Sequence, residues 1–407
     1  MSPPPGPNAQ QAKLIDTTEG IVLVDAGAGT GKTFTIARRY LHILEAHDLD
    51  PEDLLLITFT RNGAEEMRER ILHLSDLPPS RLREAPISTF HARARRVLAQ
   101  GGFHAPEKLG IQEPLAPTFG VMEDRVLERE AFASFMRRFR DEHPEHQGHL
   151  ATLYGDEDLL ALIKDLASKG IAPTADGWYR DSEALLDGDP DDFAQLFAAV
   201  NHTDGRKQSD LRTALNGYKD RVLPPDAPSQ EAIRGEEKDV DPRWAHLAFE
   251  EDREALKAFV RDVYHGYLAE SVAQNRLNFE FLQLLAYVLM VEDETVRREH
   301  EARYVMIDEF QDTSEVQFQL ALLFMGAPHL CCVGDWKQSI YSFQHADVEN
   351  IQRFRPRLHR YVQRLNRDAQ RVPLDPGDEI TVREVPLVEN YRSTQAILEL
   401  AEHALLV

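Results

Sequence analysis

Across 407 residues no apolar run approaches the roughly 18 residues that a membrane span requires. The opening segment, MSPPPGPNAQ, has no apolar core of a secretory signal, so a cytoplasmic location is expected. Cysteine is nearly missing. Cys331 and Cys332 stand side by side in an apolar run, which excludes a disulfide framework and a cysteine-built zinc cage. Positive charge is in deficit: Lys plus Arg number 46 against 69 for Asp plus Glu, a formal net charge of −23. A field of that sign repels phosphate backbones and anionic lipid, and taken alone it favours a soluble enzyme with a small-molecule substrate. Lysine is scarce as well, ten against 36 arginines. An acidic excess with few lysines resembles the composition of proteins from salt-loving organisms; compositional drift in a GC-rich genome is the alternative.

What is present is a globular composition, 42% hydrophobic and 8% aromatic, in a chain long enough for two or three domains. Residues 1–7 read as a stiff, Pro-rich leader. The apolar run IVLVDA (Ile21 to Ala26) leads through Gly-rich sequence into a helical stretch, and DLLLITFT (Asp53 to Thr60) leads into another. Alternation of this kind predicts an α/β fold on a parallel sheet. From about 105 to 275 strand-like runs vanish, and helical stretches alternate with polar loops. Between Asp141 and Asp204 there are 15 acids and three basic residues, which predicts a helical insertion with an acidic face. Sheet-like sequence resumes at Arg303 to Phe310 and His329 to Asp335, so the insertion interrupts one α/β domain. A last strand is expected over Glu379 to Leu387, with a helix from Ser393.

AGAGTGKT places Ala26, Gly27, Ala28, Gly29, Thr30, Gly31, Lys32 and Thr33 between a buried strand and a helix, the context of a phosphate loop, although the first position is Ala and not Gly. Backbone N–H groups from Gly29 to Thr33 can cradle the β- and γ-phosphates of a nucleotide at the helix N-terminus. Lys32 adds a point charge and Thr33 a hydroxyl for Mg²⁺. An acidic pair is expected at the end of another buried strand, and YVMIDEFQDT supplies Asp308 and Glu309. Asp308 is suited to hold Mg²⁺, and Glu309 to orient and deprotonate an attacking water.

AGAGTGKT, LLITFTRNGAEEMRERI, ISTFHA, YVMIDEFQDT, VGDWKQSIYSF and VENYRS together resemble the superfamily 1 DNA helicases of the UvrD/Rep/PcrA type, in order and local spelling. The resemblance covers about residues 8–103 and 276–407, and GDWKQSIY followed by HAD is also similar to the AddA/RecB branch, whose members carry a nuclease domain far downstream. It implies an ATP-binding RecA-like motor domain at 8–104 and 276–375, a helical insertion at 105–275, and the start of a second motor domain at 376–407.

By the same resemblance Gln11 reads adenine, Gln338 senses the γ-phosphate, Arg392 contacts that phosphate across a cleft, and Tyr391 stacks on adenine. Thr60, Arg61 and Asn62, then Thr89, Phe90 and His91, match segments that touch single-stranded DNA, and Tyr341 and Phe343 fall where aromatics meet bases. Stacking suits such contacts because it tolerates any base. The stretch from Arg61 to Gln100 holds eight Arg against five acids, and Ile351 to Arg371 seven Arg against one, so the negative charge lies largely elsewhere.

Three departures stand out. Phe34 occupies a position where many relatives have an Arg that helps hold the nucleotide. The third motif ends in FQHA, and Asn278 and Phe281 stand where acids are usual. The chain ends about one helix past VENYRS, as a fragment of a longer protein or the product of a truncated or split gene. The implied function is an ATP-dependent DNA helicase or translocase with 3′-to-5′ polarity in repair or recombination, using ATP and Mg²⁺ on single-stranded or tailed DNA. A partner would supply the second motor half or a nuclease. The rivals are the motor part of a helicase-nuclease and a nucleotide-dependent DNA-binding module without turnover. A small-molecule kinase or GTPase is disfavoured by DEFQDT and by the lack of a guanine-reading NKxD.

Overall fold

The computed structural model describes residues 6–75, 78–150, 156–185, 242–335 and 351–391, with side chains at 83–84, 148, 183–185 and 242–253 left aside. Two compact units result, one from residues up to Ala105 together with those from Leu282 onward, the other from Pro106–Phe281.

The first unit is built on a six-stranded sheet. Its strands are β1 (Ile21–Ala26), β2 (Leu54–Thr58), β3 (Ile87–Thr89), β6 (Tyr304–Ile307), β7 (Leu330–Gly334) and β8 (Val382–Leu387), in the spatial order β3-β2-β6-β7-β1-β8. Every pairing is parallel. Both faces are covered, which is why β2, β6 and β7 are mostly apolar and bury every residue. Register aligns the side chains in rows. Val22, Cys331, Met306, Leu56 and Ile87 face one another across five strands and join one core with Ile36, Tyr40 and Met67 of the flanking helices. Cys331 and Cys332 are free thiols buried in β7. The fold is α/β on a parallel sheet, as its strand–helix alternation implies.

Two expectations are corrected here. The strand expected over Glu379 to Leu387 forms at Val382–Leu387, but it does not open a second sheet. Residues Val382 to Leu387 pair in register with Ile21 to Ala26, which makes β8 the outer neighbour of β1. Residues 276–281 group with the helical unit and not with the sheet, because Phe281 packs against Tyr264 and Tyr267, and Asn278 bonds to Glu128.

The second unit is helical, with long helices at Arg125–Glu142, Asp156–Ser168 and Pro242–Ala273 around an aromatic core of Phe132, Phe135, Phe139, Tyr267 and Phe281. It holds one feature that strand patterns did not announce, a two-residue parallel pair of β4 (Gly120–Val121) with β5 (Arg276–Leu277). Lys164 lies between Glu128, at 2.8 Å, and Glu280, at 3.5 Å. Residues 186–241 of the expected acidic insertion lie outside the described residues. Among the described residues no helix is long and apolar enough to cross a membrane.

Candidate functional site

Because all six strands run the same way, their carboxyl ends share one edge of the sheet. That edge receives the loop after β1, Thr60 after β2, Thr89 at the end of β3, Asp308 after β6 and Asp335 after β7. Open parallel sheets bind ligands at such edges.

The loop after β1 turns through Gly29 at φ +73° and Gly31 at φ +79°. Only glycine adopts this region freely, and a Cβ on Gly31 would also sit 2.9 Å from Nε2 of Gln11. Thr30 stiffens the turn by donating its hydroxyl to the Gly27 carbonyl at 2.8 Å. The helix Lys32–His47 starts immediately afterwards, leaving its first N–H groups facing the loop. Ala26 is buried in the ladder, and Thr33 is half-buried in the first helical turn. Phe34 receives the guanidinium of Arg38 over its ring at 5.5 Å.

Gln11 is buried against this loop. Its Nε2 donates to the Thr30 carbonyl at 3.0 Å, while its Oε1 accepts from the Asn8 N–H at 3.0 Å. Asn8 and Gln11 thus form a capping box on the helix Ala9–Asp16. From the far end of the chain, the Tyr391 N–H donates to the Gly29 carbonyl at 2.8 Å, and the Asn390 side chain donates to the Ala28 carbonyl. Tyr391 is exposed, and its hydroxyl accepts from Asn8 and donates to Glu389, each at 2.7 Å.

The acidic side is more crowded. Nζ of Lys32 lies 3.1 Å from Oε2 of Glu309, and the lysine is only 11% exposed against 37% for the glutamate. Glu309 holds a left-handed backbone, φ +53°, which is uncommon for a side chain of this kind. Its own N–H donates to Oδ1 of Asp308 at 3.0 Å. Gln311, buried at 2% exposure, donates to Oε2 of Glu309 at 2.8 Å and to Oδ2 of Asp312 at 3.1 Å, and accepts the Asp335 N–H at 2.9 Å. One amide therefore ties β6 to β7. Burial first, then the neighbouring Glu309 charge, pushes Asp308 up to about 7. The same two causes in the same order push Asp312 up to about 6.

On the side expected to meet DNA, Thr60 and Thr89 cap the helices that follow them, accepting from the N–H groups of Gly63 at 2.9 Å and Ala92 at 3.2 Å. Arg61 and Asn62 are exposed in the first turn, and His91 is half-buried. Phe90 is buried, at 6% exposure, so little of its ring is open to a ligand. Asn278 and Phe281, which stand where acids are usual, serve the helical unit. Asn278 is a buried cap whose Oδ1 accepts the Phe281 N–H at 2.7 Å, and Phe281 is core. Gln338, Tyr341, Phe343 and Arg392 lie outside the described residues.

Gln311, Asp312, Asn8 and Asn390 carry contacts that motif spacing alone did not assign. For Asn8 a signal existed, since Asn followed three residues later by Gln is a capping-box pattern. Several arginines from the two basic stretches serve the fold itself. Arg93 is buried and donates to the His300 carbonyl at 2.7 Å, and Arg371 donates to the carbonyls of Val291 at 2.7 Å and Leu365 at 3.0 Å.

The family model described as UvrD/REP helicase N-terminal domain matches residues 7–359. The chain is 28% identical over 399 residues to an ATP-dependent DNA helicase PcrA of Leuconostoc citreum, covering 97% of this chain and 38% of that protein. It is 25% identical over 401 residues to a probable DNA helicase II homolog of Rickettsia conorii, covering 98% and 44% respectively. A probable DNA helicase of Mycoplasma pneumoniae is 25% identical over 399 residues, 98% of this chain and 55% of that one. The chain thus spans between 38% and 55% of the length of these curated relatives. With the Gly-rich loop, the acidic pair and five of the six parallel strands inside the matched region, the chain belongs to the UvrD/REP helicase N-terminal domain family.

Proposed function

We propose that this chain is the ATP-hydrolysing motor part of a DNA helicase or translocase, coupling hydrolysis to movement on single-stranded DNA. The observation that carries this reading is the meeting of Lys32 with the Asp308–Glu309 pair at the sheet edge that also bears Thr60 and Thr89. A motor needs its nucleotide and its track close together on one rigid body, so that a change at the phosphates moves the DNA contacts.

In this reading the N–H groups of Gly29 to Thr33 take the phosphates, and Lys32 exchanges Glu309 for a phosphate oxygen. Glu309, released from the lysine but still held by Gln311, orients and deprotonates the attacking water. Asp308 and Thr33 would hold Mg²⁺. The site fits a divalent cation: three carboxylates, Asp308, Glu309 and Asp312, stand near one ammonium, and Oδ1 of Asp312 is buried without a hydrogen-bond partner. Such an ion neutralises charge on the phosphate oxygens. Gln11, Phe34 and Tyr391 border the adenine side, and Gln338 and Arg392 complete the phosphate contacts. Arg61, Asn62 and His91 lie on the DNA side, with Tyr341 and Phe343 as stacking surfaces. Movement is 3′-to-5′, in DNA repair or recombination in the cytoplasm. The acidic surface and lysine scarcity suit a concentrated-salt interior, where screening shortens charge repulsion to a few ångströms.

The test is ATP hydrolysis at high salt with and without single-stranded DNA, for wild type, Lys32→Ala and Glu309→Gln. The expected result is DNA-stimulated turnover in wild type alone, with ATP binding kept in Glu309→Gln. Failure of the wild type to bind ATP would overturn the reading. ATP binding without DNA-stimulated turnover would replace it with a nucleotide-dependent DNA-binding module. Unwinding of substrates bearing a 3′ or a 5′ tail tests the polarity.

A further inference from the structure

The helical unit carries a cluster of ligating side chains that the motor reading does not use. The helix Arg125–Glu142 ends at His143, and a single tight turn, Pro144–His146, follows at once. The turn gathers His143, Glu145 and His146 so that one ligand atom from each lies within 4.8 Å of the others. Among the described residues no other group of three His, Cys, Asp or Glu side chains does this.

The two imidazoles are held in place. His146 is buried, and its Nε2 lies 2.8 Å from Oδ2 of Asp262. Asp262 is fixed in turn, its Oδ1 accepting from Nε of Arg261 at 2.9 Å and from Nη2 at 2.7 Å. A carboxylate can only accept, so Nε2 of His146 carries the hydrogen and Nδ1 keeps its lone pair. Carboxylate–imidazole pairs of this kind orient metal-binding histidines and raise their basicity. His143 stacks on Phe139 at 4.2 Å, and its Nδ1 lies 2.8 Å from Oε1 of Glu145. The two histidine rings are 6.0 Å apart, centroid to centroid. Both His143 and Glu145 reach solvent, which opens a path of entry.

We propose that His143, Glu145 and His146 bind one divalent transition-metal ion, with zinc the best match, while Asp262 acts as a positioning residue. Two nitrogens and one carboxylate oxygen form a borderline ligand set, which suits zinc and not the oxygen-seeking Mg²⁺. A tetrahedral ion with bonds of about 2.0–2.1 Å sets its ligand atoms roughly 3.4 Å apart, so the present spread closes chiefly by rotation of exposed Glu145, with a small shift of half-buried His143. Nδ1 of His143 would take the ion, its hydrogen passing to Nε2, and water would fill the fourth position. This site is independent of the motor reading, because none of its residues belongs to the phosphate loop or the acidic pair.

The test is calorimetric titration of the chelator-stripped full chain with Zn²⁺ in excess Mg²⁺, supported by Co²⁺ absorption and thermal melting. Wild type should take one equivalent of Zn²⁺ and melt at higher temperature with it. His143→Ala, which removes a ring that reaches solvent, should melt as wild type does without zinc and lose the equivalent. Asp262→Asn should weaken binding about 10- to 100-fold. Lys32→Ala should keep it unchanged. The proposal is overturned if wild type takes no equivalent, if His143→Ala keeps it at undiminished affinity, or if binding falls only in variants that melt early.

Discussion

The ammonium of Lys32 and the carboxylate of Glu309 meet at 3.1 Å across 277 residues of chain, which joins the phosphate loop to the acid that follows β6. Each is the other's counter-ion, and under the proposed function a phosphate would compete for the lysine. The two roles are therefore separable by mutation. In Glu309→Gln the amide keeps the volume and loses the base, so turnover should fall roughly 10²- to 10⁴-fold while ATP binding persists. Equilibrium binding of a fluorescent ATP analogue beside steady-state hydrolysis checks this. Normal turnover in that variant would remove Glu309 from the role of base.

The pH dependence has a definite sign. Asp308 titrates at about 7 and Asp312 at about 6 in the folded protein, against about 3.9 for aspartate in an unfolded chain. Between roughly pH 4 and 7 the folded form therefore binds more protons than the unfolded form, and this contribution to stability declines as pH rises through that window. Urea unfolding should show wild type losing stability relative to Asp308→Asn between pH 4 and 8. Millimolar Mg²⁺ should restore more of the loss at pH 8 than at pH 5. A pH-independent difference between the two proteins would refute the assignment.

Gly334 tests the amide bridge. A Cβ there would fall 2.5 Å from Oε1 of Gln311 and 3.0 Å from its backbone nitrogen, so the β7 end has no room for a methyl group. Gly334→Ala should cost about 1–3 kcal/mol in chemical denaturation. It should also slow hydrolysis, because displacing Gln311 unseats Glu309. Gln311→Ala in the Gly334→Ala background should recover only part of the stability, since the backbone clash remains.

Asn278 offers a prediction in the helical unit. Its Nδ2 donates to Oε1 of buried Glu128 at 2.8 Å. Asn278→Asp turns that donor into an acceptor and sets two carboxylates against each other, whereas Asn278→Ala leaves Glu128 its bond from Lys164. The aspartate variant should be the less stable of the two at pH 8, by roughly 1–3 kcal/mol, and the gap should narrow at pH 4. Thermal melting at both pH values checks the order.

Strands β1, β2, β6 and β7 were legible because a strand buried on both faces is a continuous apolar run, and little else in a soluble chain looks like one. β8 was legible as a strand but not in its placement. VREVPL is only partly buried, and nothing in its own residues says which sheet its edge will join. The reach of Gln311 to the Asp335 N–H was hidden for a similar reason, since register between β6 and β7 creates that proximity and spacing along the chain does not. Charge counting failed most clearly. A tally of arginines could not separate exposed Arg61 from Arg93 and Arg371, whose guanidiniums satisfy backbone carbonyls inside the fold.

The position of β1 also sets an order of events during synthesis. β1 ends at Ala26, yet its neighbours β7 and β8 begin only at Leu330 and Val382. At about 5–20 residues per second the ribosome needs roughly 15–60 s to reach β7. Throughout that wait IVLVDA has both edges unpaired, an invitation to foreign strands. The Pro106–Phe281 unit is fully synthesised within that interval, before β7 emerges. The loop after β1 thus leaves the ribosome long before β7 and β8 complete the sheet on either side of it.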